Sequence, residues 1–247
     1  MTEVPADVAK RLAPLTIALP KGRTLKVVAA LLARAGVESG GETPSRPLAD
    51  ALLDESRALV RAARFGDQPL EVLLLKPDDV PTYVEYGTAD LGVCGRDVLV
   101  EREVDVYHAV DLGIGRCRLV VAGRAGEDVV SSRATTGRMP RVATKFPRTA
   151  AAHFARRGVQ VEIVDVQGSV ELAPLTGLAD VIVDLVETGT TLVENGLEVK
   201  EEIAWVSSVL VANRASYKLR LTAVAPLVEA LRAALASALP SAPAPSK

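Results

Sequence analysis

The sequence predicts an α/β fold built as two lobes with mostly parallel sheets. Short apolar runs typical of strands alternate with helical patterns, an order that favours parallel strands covered by helices. The 247 residues are enough for one large domain or two modest ones. Strand-like runs near 107–122 and 202–213 are placed to pass between two sheets. We therefore expect lobe I to comprise residues 14–112 plus 200–239, and lobe II to comprise residues 113–199.

Composition limits the classes of function that this chain can have. The 29 basic and 31 acidic residues give a formal net charge of −2, which excludes the basic stripe of a general nucleic-acid binder. Cys94 and Cys117 are far apart without metal-ligand spacing, so we expect two buried thiols in a reducing compartment. Residues 1–13 lack the apolar segment of a secretory signal, and no stretch is apolar enough to cross a bilayer. We therefore expect a soluble, cytoplasmic protein.

Both ends of the chain differ in composition from the part between them. Residues 1–13 are polar, and residues 240–247 are rich in Pro, Ala and Ser. Such segments bury too little apolar surface to offset the entropy of ordering them. We expect a flexible N-terminal extension and a disordered tail.

The first half begins with a strand at 15–19 that turns through PKGR into a helix. Leu25 and Val28 recur at helical spacing, and Gly36 is a good stop. Residues 38–56 are polar and rich in Pro and Gly, which favours a loop. The remaining elements are, in order, a hairpin around GDQP, a helix opened by Pro77 and ended by Gly87, a strand over ADLGVCG and a helix over RDVLVERE.

The second half repeats the alternation. Strand-like runs lie at CRLVVAG, RVATK, VQVEIVDV and ADVIVD, and a long β run covers EEIAWVSSVLVAN. Pro147 fits the first turn of a helix that ends at Gly158, because the missing N–H costs nothing there. Ser169 is expected to cap a short helix, and Asn195 and Gly196 to close another. A terminal amphipathic helix is expected over APLVEALRAALASAL.

The stretch DLVETGTTL carries the strongest candidate site. Asp184 closes the strand ADVIVD, and ligands of parallel sheets bind beyond the carboxyl ends of strands. A helix that begins next presents unpaired N–H groups, and its flexible, hydroxylated start suits a phosphate: Thr188, Gly189, Thr190 and Thr191. Asp184 and Glu187 suit the hydroxyls of a sugar, or a hydrated Mg²⁺ beside a diphosphate. The ordinary alternative is a helix N-terminus with Thr caps and stabilising acids.

Basic residues supply a second group of candidates. In LPKGR a strand ends, and Lys21 and Arg23 flank a glycine at the strand-to-helix turn, which suits an anionic substrate. Arg57 is expected at a strand start within reach of a cleft between lobes, and Lys145 at another strand end. For each of them, the alternative is a solvated surface charge.

Other residues are weaker candidates. Gly95, at a strand-to-helix junction, would let a base or a sugar approach the backbone, while the nearby Asp97 more simply caps the helix. Glu171 falls in a first helical turn, where an acid also complements the helix dipole. His108 and His153 have no Ser or Cys partner nearby in sequence, so we expect structural roles. The sequence contains no G-x-S-x-G, no His/Cys metal cluster and no G-x-x-x-x-G-K-[ST] motif.

The chain resembles the short form of ATP phosphoribosyltransferase over about residues 15–217, in segments that occur in order: TIALPKGR, DVPTYVEYGTADLGVCGRDVL, CRLVVA, RVATKFP and GSVELAPLTGLADVIVDLVETGTTLVENGL. The resemblance implies two lobes akin to type II periplasmic binding proteins, joined by crossing strands. It implies transfer of the phosphoribosyl group of phosphoribosyl pyrophosphate to N1 of ATP, the first step of histidine biosynthesis. It also implies Mg²⁺ on the diphosphate, self-association, and a regulatory subunit similar to histidyl-tRNA synthetase in a hetero-oligomer.

These implications assign roles to the candidate residues. Residues 188–191 are expected to hold the 5-phosphate, with Asp184 and Glu187 facing the ribose hydroxyls. The pyrophosphate or the phosphates of ATP are expected to meet Lys21, Arg23 and Arg57, with Glu171 and Lys145 as lesser candidates. Three alternatives stay open: a phosphoribosyltransferase for a free base, a solute-binding module without chemistry, and a catalytic subunit that is almost silent alone.

Overall fold

The computed structural model describes most of the chain, in four ranges: 13–40, 46–54, 58–128 and 137–237. The predicted extension (all but Ala13), the predicted tail and Arg57 lie outside these ranges. Within them, strands alternate with helices along the chain. The predicted α/β class is confirmed.

The strands follow the apolar runs of the sequence. Their order is β1 (Leu15–Pro20), β2 (Val37–Ser39), β3 (Val60–Phe65), β4 (Gln68–Leu75), β5 (Leu91–Gly95), β6 (Tyr107–Arg124), β7 (Arg141–Thr144), β8 (Glu162–Asp165), β9 (Val181–Val186) and β10 (Leu197–Ala212). The predicted hairpin joins β3 to β4 through Gly66 and Asp67, with Val60 opposite Leu73. Positive φ at Gly66, 56°, is the conformation that a tight hairpin turn requires.

The helices begin and end near the residues that the sequence marks. Their order is α1 (Arg23–Arg34), α2 (Leu48–Leu53), α3 (Val80–Glu85), α4 (Arg96–Arg102), α5 (Pro147–Arg156), α6 (Leu172–Thr176), α7 (Thr190–Glu194), α8 (Arg214–Leu219) and α9 (Leu221–Ala236). A 3₁₀ turn at Pro77–Asp79 precedes α3, and Pro147 occupies the first turn of α5. None of the described helices has both the length and the apolar character needed to cross a bilayer.

The described residues form two compact units. The first unit holds the residues up to Leu99, Val104–Ile114 and those from Ser208 onward; the second holds Val100–Glu103 and Gly115–Ser207. Strands β6 and β10 contribute residues to both units. The boundaries in these strands fall after Ile114 and Ser207, whereas the predicted lobes divide after 112 and 199.

The first unit contains the strand order β2-β3-β4-β1-β5-β10. Strand β1 pairs in parallel with β4 and with β5, while the β3–β4 hairpin and the β5–β10 pair are antiparallel. Leu15, Ile17 and Leu19 pack on one face with α1 and α9, and Ala18 packs on the other face with α3. Burial on both faces explains why β1 is a continuous apolar run rather than an alternating one.

The second unit is built on the order β6-β9-β7-β8. Strand β7 pairs in parallel with β8 and β9, and β9 pairs antiparallel with β6. On β9, Ile182 packs on the face covered by α6 and α7, while Val181 and Val183 pack on the face covered by α5. The sheets are therefore mixed, with parallel pairs at their centres.

Two local predictions differ from the structure. The stretch 38–56, expected to be a loop, contains β2 and the short helix α2, because Leu48 and Leu52 bury apolar side chains in the core of the first unit. Ser169 was expected to cap α6, but it adopts a positive φ of 46° and Glu171 occupies the cap position without a side-chain hydrogen bond. The capping prediction for Ser169 is therefore wrong.

Candidate active site

Asp184 lies near the carboxyl end of β9, in the second unit. It has the same parity as Ile182, so its side chain leaves the sheet on the face covered by α6 and α7. The residue is half-buried, and its Oδ1 accepts a hydrogen bond from the Leu185 N–H at 2.8 Å. This carboxyl group is the only polar side chain on an otherwise apolar strand, VIVDLV.

The surroundings of Asp184 shift its pKa. Burial raises the pKa of this carboxyl group above its ordinary value, because it penalises the charged form. The Leu185 N–H and the positive charge of Lys145 lower the pKa, and the negative charge of Glu171 raises it. Three residues that the sequence singled out separately, Asp184, Lys145 and Glu171, thus interact electrostatically in the second unit.

The turn after β7 places Lys145. Its side chain is exposed, and Nζ lies 4.9 Å from the centroid of the Phe146 ring, a cation–π contact. Thr144, fully buried, donates a hydrogen bond from Oγ1 to the carbonyl of Val183 at 2.6 Å and accepts one from the Phe146 N–H at 2.9 Å. Sequence reasoning missed Thr144. The sequence signal that could have indicated it is a hydroxyl side chain at the last position of the strand RVAT.

Glu101 is a second residue that sequence reasoning missed. Its carboxylate accepts hydrogen bonds from the N–H of Arg148 at 2.8 Å, and from the N–H and the hydroxyl of Thr149 at 2.9 and 2.7 Å. It thereby caps α5 from a residue 47 positions away in the chain. No local pattern in the sequence indicates a cap supplied from such a distance.

Residues Glu187, Thr188 and Gly189 join β9 to α7, whose first turn contains Thr190 and Thr191. Gly189 occupies the cap position of α7 with φ 83°, in the left-handed region that favours glycine. Having no side chain, Gly189 gives this five-residue helix no cap of its own, and the Thr190 N–H instead donates to the hydroxyl of Thr188 at 3.5 Å. The hydroxyls of Thr188 and Thr190 lie 3.0 Å apart, and both residues are exposed. The loop thus combines a left-handed glycine with two exposed hydroxyls.

In the first unit, the turn between β1 and α1 carries Lys21 and Arg23. The Lys21 N–H donates to the Leu75 carbonyl at 2.8 Å, and Gly22 has φ 97° with open space where a Cβ would lie. Both basic side chains are exposed. The turn is thus fixed by its backbone while its two cations remain free to meet an anion.

Gly95 ends β5, also in the first unit. A carboxylate oxygen of Asp97, in the first turn of α4, occupies the space that a Cβ at Gly95 would need. The Asp97 carboxylate therefore covers this side of Gly95. Arg57, the remaining candidate, lies outside the described residues.

Other reactive groups are accounted for by packing. Burial, and then the nearby charge of Asp97, raise the pKa of the Cys94 thiol to about 12, so it is a buried apolar group and not a nucleophile. His153 is buried with Nε2 3.3 Å from a carboxylate oxygen of Glu201. Across the four described ranges, no three His, Cys, Asp or Glu side chains form a group that could hold a metal ion.

Comparison with known proteins adds to this geometry. The family model described as ATP phosphoribosyltransferase matches residues 76–233. An ATP phosphoribosyltransferase of Sorangium cellulosum is 57% identical over 225 residues, which cover 91% of this chain and 98% of that protein. One of Symbiobacterium thermophilum is 46% identical over 222 residues, covering 90% and 95%. The predicted resemblance is confirmed.

Comparison with solved structures also finds relatives in this family. A chain of the ATP phosphoribosyl transferase (HisG:HisZ) complex from Thermotoga maritima has a TM-score of 0.73 at 33% identity, covering 90% of this chain and 99% of that one. The periplasmic aliphatic sulphonate binding protein SsuA of Escherichia coli has a TM-score of 0.54 at 12% identity, covering 90% and 72%. The second likeness shows the fold alone, and it confirms the predicted periplasmic-binding-protein-like architecture. By sequence and by structure, the chain belongs to the ATP phosphoribosyltransferase family.

Proposed function

We propose that this chain transfers the phosphoribosyl group of phosphoribosyl pyrophosphate to N1 of ATP, the first step of histidine biosynthesis. The bond between C1 of the ribose and the pyrophosphate breaks, a bond between N1 and C1 forms, and pyrophosphate leaves. The observation that carries the proposal is the match to the family along 91% of the chain, at 57% identity. The acid-and-hydroxyl loop that follows β9 supports it with a suitable site.

This chemistry does not need a protein nucleophile. Adenine N1 already has a free lone pair, so the enzyme has to orient two substrates and stabilise charge. The transition state develops positive charge at C1 and negative charge on the departing pyrophosphate. Fixed dipoles, carboxylates and cations then supply the catalysis. The buried, protonated state of the Cys94 thiol is consistent with such a mechanism.

Residues 188–191 are proposed to hold the 5-phosphate. The left-handed turn at Gly189 lets the main chain approach an anion closely, and the exposed hydroxyls of Thr188 and Thr190 add donors. Asp184 and Glu187 are proposed to accept hydrogen bonds from the ribose hydroxyls. Burial disfavours the ionised form of Asp184, so hydroxyl donors from the sugar would restore interactions that the carboxylate lacks in the free protein.

Basic residues are proposed to meet the other phosphates. Lys21 and Arg23, on a turn fixed by its backbone, would contact the pyrophosphate or the phosphates of ATP, together with Arg57. Lys145 and Glu171 would act through Asp184, whose pKa they shift in opposite directions. Gly95 would admit the base or the sugar only after Asp97 has rotated.

Mg²⁺ is proposed to arrive with the substrate. In the described part of the chain no three potential ligand side chains come together, so the residues do not fit a resident metal site. A cation carried by the diphosphate would neutralise part of its charge. We assign no protein ligand to it and derive no step through it.

The remaining assignments follow from the family. The solved relative from Thermotoga maritima is a HisG:HisZ complex, and we propose a hetero-oligomer of the same kind, with a regulatory subunit similar to histidyl-tRNA synthetase. Self-association of the catalytic chain is proposed as well. A cytoplasmic location is proposed because both substrates are cytoplasmic metabolites.

Pyrophosphate release tests the proposed function. The purified chain is mixed with ATP and phosphoribosyl pyrophosphate, with and without the synthetase-like partner, and pyrophosphate is measured with a coupled assay. Release that depends on both substrates is expected in at least one condition. Turnover with a free base but not with ATP would point to another phosphoribosyltransferase, and substrate binding without release in either condition would point to a solute-binding module.

Gly189→Val is expected to raise the KM for phosphoribosyl pyrophosphate by about tenfold or more, because a Cβ with branches blocks the approach of the main chain to the phosphate. Steady-state kinetics with saturating ATP measure the effect. Gly158→Val is the matched control, since Gly158 also has a left-handed φ, 71°, in open space at the end of α5. An equal rise in both variants would assign the effect to backbone strain and not to the phosphate.

A further inference from the structure

We propose that Thr144 is a positioning residue whose single hydroxyl fixes the main chain at Lys145 relative to the main chain at Asp184. Thr144 is the last residue of β7, and its register partner on β9 is Val183, the residue before Asp184. Its effect on catalysis rests on the proposed function, whereas its effect on Asp184 does not. The buried hydroxyl has no role in the chemistry described above.

The hydroxyl oxygen of Thr144 connects the peptide group before Asp184 to the peptide group after Lys145. Thr144 Oγ1 donates to the carbonyl of Val183 at 2.6 Å, and that carbonyl belongs to the peptide group that continues into Asp184. The same Oγ1 accepts from the Phe146 N–H at 2.9 Å, which belongs to the peptide group that follows Lys145. The oppositely charged residues are thus fixed to each other through their main chains.

The Lys145 turn is also anchored on its far side. Phe146 is only 3% exposed and packs in the core with Ala150 and Phe154. The Glu101 carboxylate binds the first turn of α5 through the N–H groups of Arg148 and Thr149. A long, exposed lysine side chain has high conformational entropy, so a fixed backbone is what keeps its charge near one place. The Thr144 hydroxyl supplies the link from this turn to β9.

Loss of the hydroxyl has a defined electrostatic consequence. Without it, the Val183 carbonyl loses a buried donor and the Phe146 N–H loses an acceptor, so the turn after β7 is held to β9 by the strand pairing alone. Asp184, whose pKa burial already raises, then loses part of the positive charge that lowers it. Its pKa therefore rises further.

The other groups around Asp184 do not offset this loss. Glu171, before α6, raises the pKa of Asp184, and the Leu185 N–H on its own strand stays in place. The register partner on β6 is Val120, which is uncharged. Glu187, three residues along the loop, carries a like charge.

Thr144→Val and Thr144→Ser test the proposal through activity. The valine variant keeps the shape and loses the hydroxyl, so kcat/KM for phosphoribosyl pyrophosphate is expected to fall about tenfold or more at neutral pH. The acid limb of its pH profile moves to higher pH, because Asp184 stays protonated over a wider range. Thr144→Ser retains the hydroxyl, so its kcat/KM and the acid limb of its pH profile are expected to match those of the native chain. Thr176→Val is the matched control. It removes a hydroxyl that donates to carbonyls of its own helix, so kcat/KM and the pH profile are expected to stay unchanged.

A titration of Asp184 by ¹³C NMR tests the same link without turnover. Asp184→Asn assigns the resonance, and the pKa is expected to be higher in Thr144→Val than in the native chain or in Thr144→Ser. If circular dichroism shows that the valine variant does not fold, the isosteric pair Thr144→Cys and Thr144→Ser replaces it. The pKa of Asp184 is then expected to be higher in Thr144→Cys than in Thr144→Ser.

The two proposals fail in different ways. Equal Asp184 titrations in hydroxyl-bearing and hydroxyl-free folded variants overturn the role of Thr144, whether or not the enzyme turns over. A native chain that is inactive both with and without the synthetase-like partner, and that still shows the shifted titration, overturns the proposed function and supports the positioning role.

Discussion

Replacing Asp184 with asparagine is expected to lower kcat/KM by roughly 100-fold or more, and yet to make the folded chain more stable at neutral pH. Activity falls because asparagine offers the ribose hydroxyls and the developing positive charge a neutral group in place of a carboxylate. The amide oxygen can still accept the bond from the Leu185 N–H, so the strand end keeps its geometry. Pyrophosphate release measures the first effect.

The gain in stability follows from the direction of the pKa shift. Burial holds the pKa of Asp184 above the value in the unfolded chain, so the folded state binds this proton more tightly. The free energy of unfolding therefore falls as pH rises through the unfolded and then the folded pKa of this group. Asparagine has no such penalty, and its advantage should vanish at pH values below the unfolded pKa of aspartate. Urea unfolding at acid and neutral pH measures the difference.

Asp165→Asn is the control for both effects. Asp165 is also a strand-end aspartate of the second unit, on β8, and is exposed with a hydrogen bond from Gln167. The Asp165→Asn substitution should leave pyrophosphate release and the free energy of unfolding nearly unchanged. A loss of stability in Asp184→Asn at neutral pH would contradict a raised pKa of Asp184 in the folded chain.

Asn213→Ala is expected to destabilise the first unit by about 2–4 kcal/mol, a large effect for the loss of one polar side chain. Asn213 is buried, and its Oδ1 accepts from the N–H groups of Ala215 and Ser216 at 3.0 Å, capping α8. Its Nδ2 donates to the carbonyls of Val84 and Glu85 at 2.9 and 3.1 Å, closing the end of α3. One side chain thus completes two helix ends.

Denaturant unfolding followed by circular dichroism measures the loss. Asn213→Asp separates the two halves of the interaction, since it keeps the acceptor for α8 and loses the donors for α3. An intermediate loss is expected for it. Asn195→Ala removes a single exposed hydrogen bond, to the Thr191 carbonyl, and should cost far less. A loss at Asn213 no greater than at Asn195 would show that the double cap is not needed for stability.

Local chemistry was enough to predict much of the fold and to single out the acids and the glycine of the candidate site. Apolar runs predicted the strands, Pro147 predicted the start of α5, and GDQP predicted the turn between β3 and β4. These predictions succeed because strand propensity, proline geometry and tight turns depend on only a few neighbouring residues. The acid at the end of ADVIVD and the glycine of ETGT were predictable for the same reason. The loop at 38–56 was predicted less well, since Leu48 and Leu52 form a helix only against a core.

Tertiary structure decided which of these residues act on one another. The strand-end acid, the glycine that follows it and the family resemblance were already in the sequence. The raised pKa of Asp184, its neighbours Lys145 and Glu171, and the hydroxyl of Thr144 between two strands were not. Burial and charge depend on distances between atoms that are 13 to 39 residues apart in the chain, and only the packed sheet and its helices set those distances.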